Sequence, residues 1–477
     1  YNEMRWRPEQ EAIYSFYLPE GSAVTSLSLW IDGKESPGIL TTKSKADSAY
    51  KTIVGREARD PSVLHWQEGN RVSVRVFPVL PGSFRVFRVG VTSPLQMDHG
   101  RMEYQSIDME GPSRLLTKGP VSIQLMGKTT GLQTPAGFKS TKDQALQYNG
   151  RFKAGWALSM ELADIAVGNA FHFNGHTYSV KPYQHQRAHF QPGKIYLDIN
   201  KAWTYEEYEA ALKLPGQHEY YVAEDEHLVQ VTEENRIRLF KNQHKRQFSL
   251  FPVHAIKAAD SALLITKGPE QSPNLNELKG TQFLDELKAY LAPRPRLRLF
   301  CIDGELQPYL RSLKEYRVFH YDQGSIDDCS LLLARKEFSM DIENEKQIVI
   351  DHSNMMITKS EDAASGNAPD HLMRLFTYNH VMQQAGSGLL NGETPADSLV
   401  QQAAEAHVVT PVSSLVVLES KADYERFDIK ASENSLHNAA NASKGAVPEP
   451  HEWALIILAI LILITIKYQP VWKRKWS

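Results

Sequence analysis

Apolar positions recur at every second residue over the first stretch of the chain. Residues 12–19 and 24–31 alternate in this way, the period of a strand with one buried face. Asp32-Gly33 follows the second run and reads as a hairpin turn. The period changes over residues 43–54, where Ala46, Ala49, Tyr50 and Ile53 fall at helical spacing. Alternation resumes at 72–77 and 84–91, broken by Pro78 and by Pro81-Gly82. Residues 1–110 are thus expected to form a β-sandwich carrying one helix. Residues 111–192 read as a β-rich connecting region.

From Lys194 short apolar runs alternate with amphipathic ones. Strands are expected at 195–200, 228–231, 247–256, 262–266, 297–302 and 317–321, with helices at 204–214, 283–291 and 306–313. Thr204 is placed to cap the first of these helices, with Glu207 completing a capping box. The alternation predicts an α/β doubly wound parallel sheet over residues 193–352. Residues 353–370 read as a polar loop, 371–384 and 398–406 as helices, and 414–419 as a strand. The segment 353–430 is expected to return to the N-terminal sandwich and tie the two domains together. Residues 431–447, rich in Ala, Asn and Ser, read as a flexible spacer, and 448–477 as a tail.

The tail changes the picture most. No charge interrupts Trp453 to Ile466, but fourteen helical positions cover only about 21 Å of a hydrocarbon core about 30 Å thick. Continuing the helix to Trp472 reaches about 30 Å, with Lys467 snorkelling to the interface and Trp453 and Trp472 as interfacial aromatics. Lys473, Arg474 and Lys475 then form a positive stop on the cytoplasmic side. A C-terminal transmembrane helix in contact with lipid follows, with the bulk of the chain outside the cytoplasm. Ahead of it stands Val447-Pro448-Glu449-Pro450. Two prolines keep this stretch extended, as a protease cleft binds it; the same prolines also serve as a helix-stopping turn. The chain opens at Tyr1 without a signal-peptide pattern, so an upstream segment is expected to have been removed or omitted.

Composition narrows the remaining choices. Lys+Arg total 53 against 56 Asp+Glu, for a formal net charge of −3, so no nucleic-acid partner is expected. The 477 residues exceed one ordinary core. Cys301 and Cys329 are the only cysteines, which excludes a disulfide framework and leaves two buried thiols or one bond. His172 and His176 are four apart, as are His185 and His189, a spacing that holds zinc on a helix. Asn174-Gly175 makes the first pair a hairpin instead, and no metal or cofactor is assigned. A nucleophile elbow, a zinc HExxH and a phosphate loop are all missing from the sequence. Asp327-Asp328 reads as solvated surface.

Two resemblances add to this reading. The run Phe16, Leu18-Pro19, Val24, Leu29, Ile31-Asp32-Gly33, Gly38, Lys45-Ala46, Ala49-Tyr50, Val72, Val76-Phe77-Pro78-Val79 and Pro81-Gly82 resembles the VIT domain of inter-α-trypsin inhibitor heavy chains and vault proteins. The resemblance implies an interaction scaffold without chemistry. A VIT domain followed by a doubly wound sheet is similar to the pairing of VIT with a von Willebrand factor A domain. Intact members of that family close their first strand with Asp-x-Ser-x-Ser and a later one with Thr-Asp-Gly, holding a magnesium ion that grips an acidic ligand residue. Here the first motif reads Asp198-Ile199-Asn200-Lys201-Ala202 and the second Thr266-Lys267-Gly268. The resemblance therefore implies a degenerate site at Asp198, Asn200, Ala202 and Lys267 that holds no metal. Lys267 either replaces the ion by pairing with Asp198 or points into solvent.

The tail resembles the PEP-CTERM sorting signals of bacteria, and its combination with a VIT domain resembles the VIT proteins of the exosortase N system. That likeness implies an exosortase-type membrane protease as partner, with Val447 to Pro450 as the processing motif. The expectation is a non-enzymatic envelope protein, processed at its tail and passed to the cell surface, with a protein ligand for its VIT and A-like modules. The alternative is a permanently anchored adhesion or scaffold protein that is not cleaved.

Overall fold

In a computed structural model the described residues are 10–57, 59, 61–80, 83–98, 100–112, 121–125, 130–140, 145–150, 155–162, 169–268, 271–304, 306–362, 366–431 and 434–438. The motif 447–450, the apolar run from Trp453 and the basic stop lie outside them. Among the described residues no helix is long and apolar enough to cross a membrane.

Period-2 alternation builds the N-terminal sandwich. In Arg71–Val79 the side chains of Val72, Val74 and Val76 are buried while Ser73 and Arg75 face outward, so one face of the strand joins the core. This strand pairs with Gln10–Tyr17 on one side and Ser62–Gln67 on the other. Asp108–Glu110 and Ile39–Thr42 form the two edges of the six-stranded sheet. The strand between Ser62–Gln67 and Ile39–Thr42 is Ser413–Val417, antiparallel to both. Ala23–Ile31, flanked by Lys34–Pro37 and Phe87–Thr92, makes the facing sheet, and Leu27 and Leu29 meet Leu64, Val74 and Leu415 between them. Asp32-Gly33 turns the hairpin with both φ angles positive, the two-residue geometry that matches strand twist. The helix Lys43–Thr52, capped by the Thr42 hydroxyl, buries Ala46, Ala49 and Tyr50 against Val63 and Val416.

The second six-stranded sheet is centred on Lys194–Asp198. It runs parallel to Glu219–Glu224 on one side and to Ala262–Thr266 on the other, continued by Leu297–Ile302 and Phe319–Gly324. His227–Gln230 closes one edge antiparallel. In chain order the six strands lie three-two-one-four-five-six. Both faces are covered. Tyr196, Leu264 and Leu299 pack against helices Gln282–Leu291 and Pro308–Glu315, whereas Ile195, Leu197, Leu263 and Phe300 pack against Tyr205–Ala211, Arg236–Gln243 and Ile326–Arg335. Cys301 belongs to the first core and Cys329 to the second, so they stay thiols on opposite faces of one sheet.

Two expectations about elements are corrected. Residues 247–256 form no strand: Phe251, Val253 and Ile256 are buried, but Pro252 lacks an N–H for a ladder and leads into the 3-10 turn Val253–Ala255. Residues 353–370 are not all loop, because Met355–Ser360 lies between His176–Pro182 and Gln347–Ile350 in a four-stranded sheet with Ala170–Phe173. The helix His371–Leu390 extends beyond 384 and is kinked at Gly386, with φ 26° and ψ −124°. A Cβ there would stand 3.0 Å from the Tyr316 carbonyl oxygen, so glycine permits both the backbone and the close approach.

Helix Pro308–Glu315 joins these bodies. The Glu315 carboxylate is buried and accepts the N–H groups of Gly69 (2.6 Å) and Asn70 (3.1 Å) at one oxygen and the Tyr378 hydroxyl (2.7 Å) at the other. Trp66 Nε1 donates in turn to the Tyr378 oxygen at 3.2 Å. Beside it Lys314 pairs with Glu20 at 2.9 Å, and Arg317 donates to Asn379 Oδ1 at 3.2 Å. One helix end therefore grips the sandwich and the long helix together.

Burial pushes the Glu315 carboxyl up to about 7 against the pull of its three donors. The folded value lies above the ordinary one of 4.5, so folding takes up a proton between those two values. The associated stabilisation is complete below the ordinary value and is lost as pH rises through 7, about 3 kcal/mol for this one group. In Glu315→Gln the corresponding slope of urea-unfolding free energy between about pH 5 and 8 should vanish. An unchanged slope would show that Glu315 does not titrate in this window.

Candidate functional site

An open α/β sheet takes its ligands in the crevice outside the carboxyl ends of its strands, where the strand order reverses. Here that point lies between Lys194–Asp198 and Ala262–Thr266. The last residues of the two strands are Asp198 and Thr266, opposite one another in register. The sequence motifs thus meet at the one place where the topology opens a crevice.

The Asp198 carboxylate is 3 % exposed and fully engaged. Ser249 Oγ donates to Oδ1 at 2.6 Å, while Thr266 Oγ1 at 2.7 Å and Gln307 Nε2 at 3.0 Å donate to Oδ2. Burial raises its pKa, and the three uncharged donors pull against that rise. Asn200, also buried, staples the strand ends: Nδ2 donates to the carbonyls of Lys267 (2.7 Å) and Asp198 (3.2 Å), and Oδ1 accepts the Ala202 N–H at 2.9 Å. Trp203 Nε1 adds a 2.8 Å bond to the Asp198 carbonyl. The Ala202 side chain supplies no oxygen.

Lys267 takes neither position expected of it. It does not pair with Asp198, and it is not loose in solvent. Its ammonium is held by Glu207 Oε1 at 2.7 Å and Asp303 Oδ2 at 2.9 Å. Burial alone would lower the Lys267 pKa, but the two carboxylates outweigh it and raise the value. Glu207 serves twice, because its other oxygen accepts the Thr204 N–H at 2.8 Å in the capping box of helix Tyr205–Ala211. Two carboxylates are thus spoken for by one ammonium on the rim, and hydroxyl and amide donors saturate the third beneath.

This arrangement does not fit a magnesium ion, which demands near-octahedral oxygen ligands. Hydrogen-bond donors point at the Asp198 oxygens where a cation needs acceptors. Among the described residues no group of three or more His, Cys, Asp or Glu side chains is placed to hold a metal ion. His172 lies in the hairpin around Asn174-Gly175, where its Nδ1 is 3.0 Å from the Thr177 hydroxyl.

Sequence reasoning missed Ser249, Gln307, Trp203 and Asp303. Asp303 follows the last residue of Leu297–Ile302, so asking which residues close each parallel strand would have found it. Ser249 and Gln307 carry no such signal. A second constellation also escaped notice: Ser414 Oγ lies 2.7 Å from His65 Nδ1, and His65 Nε2 lies 3.0 Å from Asp47. It has the polarity of a nucleophile, base and orienting acid. Ser414, however, is wholly buried in the interior strand Ser413–Val417, where no substrate reaches its oxygen. Burial takes His65 down to about 4, so the neutral imidazole ties the returning strand to its neighbour.

Residues 1–90 match the family model of the vault protein inter-alpha-trypsin (VIT) domain, so the N-terminal sandwich is a VIT domain. No curated protein matches the chain.

Asp198→Ala leaves three buried donors without an acceptor and should cost roughly 3 kcal/mol in urea unfolding. Asp198→Asn, whose amide can exchange roles with the Ser249 hydroxyl, should cost only about 1 kcal/mol. Calorimetric titration of the wild-type chain with magnesium or manganese should give no tight binding. Tight binding that disappears in Asp198→Ala would overturn the account of a saturated site.

Proposed function

We propose that this chain is a non-enzymatic envelope protein whose VIT domain and von Willebrand factor A-like sheet form one scaffold for a protein ligand. The tail holds it in the membrane, with the bulk outside the cytoplasm, until an exosortase-type protease cuts near Val447-Pro448-Glu449-Pro450. The observation that carries the non-enzymatic reading is the switch point. Its crevice is filled by Ser249, Thr266 and Gln307, all donating to the buried Asp198 carboxylate. The strand order and the antiparallel edge support the A-like assignment. For the tail the support is chemical: an extended Pro-Glu-Pro stretch, a short uncharged core and a basic end.

A second reading, a lasting anchor that is never cut, rests on the same tail with Lys467 snorkelling and Trp472 at the interface. Mass spectrometry of the mature C-terminus separates the two, in cells with and without the cognate exosortase. The sorting reading expects a terminus near Pro450 that depends on the protease. Recovery of Lys475-Trp476-Ser477 from the mature protein in both strains would establish the anchor instead.

A further inference from the structure

Three of the large apolar side chains left exposed stand on one connection of the VIT sandwich, between Arg71–Val79 and Phe87–Thr92. They are Leu80, Phe84 and Val86, and the Phe84 ring is 84 % exposed. The local fold sets them side by side. Ser83 N–H donates to the Leu80 carbonyl at 3.1 Å, so the chain turns back on itself between Leu80 and Phe84. Trp30 N–H donates to the Val86 carbonyl at 3.0 Å, and Leu29 stands opposite Phe87 in register. Leu29 and Phe87 face the core, so Trp30 and Val86, one position away on each strand, share the outer face. On that face the Arg88 guanidinium lies 5.7 Å from the centre of the Trp30 ring and pairs with Glu35.

Apolar groups that project together in this way mark a partner. A protein would need a matching pocket to desolvate a ring standing so clear of its own chain, whereas acyl chains close around any shape. Charge does not supply the attraction. Arg88 is engaged by Glu35, Arg85 is half-buried, and Asp32 and Lys34 in the adjoining hairpin offset one another.

We propose that this end of the VIT domain dips into the bilayer surface, with Leu80, Phe84 and Val86 at the acyl boundary and Trp30 with its stacked Arg88 at headgroup level. The proposal rests on reading the tail as a membrane anchor, and the length of chain before that anchor favours lipid as the occupant. Sixteen residues separate Leu436 from Trp453, and extended they reach about 55 Å. Leu436 N–H donates to the Glu405 carbonyl at 2.8 Å, and Val409 N–H to the Val24 carbonyl at 2.9 Å. Trp30 lies six residues from Val24 along Ala23–Ile31, about 20 Å. Added to the four-residue step from Glu405 to Val409 and the two hydrogen bonds, this puts the patch within about 45 Å of Leu436, inside the reach of the tether.

The test replaces Phe84 with the photoreactive benzoyl-phenylalanine in the full chain, reconstituted into vesicles of phosphatidylethanolamine and phosphatidylglycerol, and reads adducts by mass spectrometry. The same probe in place of Leu331, an exposed apolar residue on helix Ile326–Arg335, is the control. Lipid adducts from position 84 should exceed those from position 331 by at least about fivefold and should persist at high salt, because the contact is apolar. Val86→Asp should reduce them roughly tenfold. Melting curves in mild non-ionic detergent that match wild type exclude misfolding as the cause. Flotation with the vesicles reports on the tail separately. A chain that floats without excess lipid adducts at 84 overturns the insertion and leaves the anchor standing; a chain that does not float overturns both. Adducts formed instead with a second copy, or with residues 1–9, which lead into Gln10 opposite Val79, would show that protein covers the patch and would also overturn the proposal.

Discussion

The strand Ser413–Val417 is the constraint on which the rest of the molecule depends. It sits between Ile39–Thr42 and Ser62–Gln67, so the VIT sheet closes only after more than three hundred residues have been threaded elsewhere. Every residue of the strand is buried, with Leu415 and Val417 in one core and Val416 in another. Inside the sheet the bond between Ser414 and His65 fixes the register, since a one-residue slip would exchange the two faces and put Ser414 into the core that Leu415 and Val417 fill. A long loop costs little extra entropy once its ends are held, which is why so large an insertion between neighbouring strands is tolerated. The match to the VIT family ends at residue 90, yet the sheet it describes is not whole without residue 413 onward.

That return path explains the second join. Once Ser413–Val417 is in place, the segment leading to it is drawn against the sandwich, and Arg374 secures it. This guanidinium is 1 % exposed; it pairs with Asp370 at 2.7 Å and donates to the carbonyls of Ala406 and His407 at the end of the neighbouring helix. The last carbonyls of a helix have no partner within it, and the guanidinium supplies one. The long helix carries Tyr378 to Glu315, and Glu315 reaches the Gly69 and Asn70 N–H groups of the VIT hairpin. Glu315 thus holds the helix layer of the doubly wound sheet to the sandwich and to the long helix, while Arg374 ties the two C-terminal helices together ahead of the returning strand.

Much of this was legible where one local rule decides. Asp32-Gly33 demands positive φ and made its hairpin; Thr204 and Glu207 are spaced for a capping box and formed it. Strands 262–266 and 297–302 are apolar apart from Thr266 and Arg298 because both their faces are covered. What escaped were elements whose sequence is dominated by surface. Glu219–Glu224 hides its buried Val222 among tyrosines and glutamates, and helix Arg236–Gln243 buries only Leu239, Phe240 and Gln243 beneath a basic face. Met355–Ser360 buries Ile357 alone and owes its strand state to the partners on either side. In the site, motif spacing located Asp198 and Thr266, but the partner of Lys267 depended on which loops the fold brings to the rim. No spacing rule connects Lys267 to an aspartate thirty-six residues later.

The fate of Asp198 follows from that rim. A buried carboxylate facing an ammonium would need the geometry of a close ion pair to recover the desolvation of both charges. The protein avoids that demand by keeping the two charges apart. Asp198 is satisfied by neutral donors in the dry interior, and Lys267 by two carboxylates at the edge, where Asp303 keeps 64 % of its side chain exposed. The half-exposed contact to Asp303 contributes little stability, but charges at a rim do select partners. The end of the sheet therefore presents a lysine already occupied between two acids, which on the proposed function would let a protein ligand be discriminated by charge. On the proposed scaffold function, affinity for a protein ligand at this face would come from the area buried around the rim rather than from one charged contact.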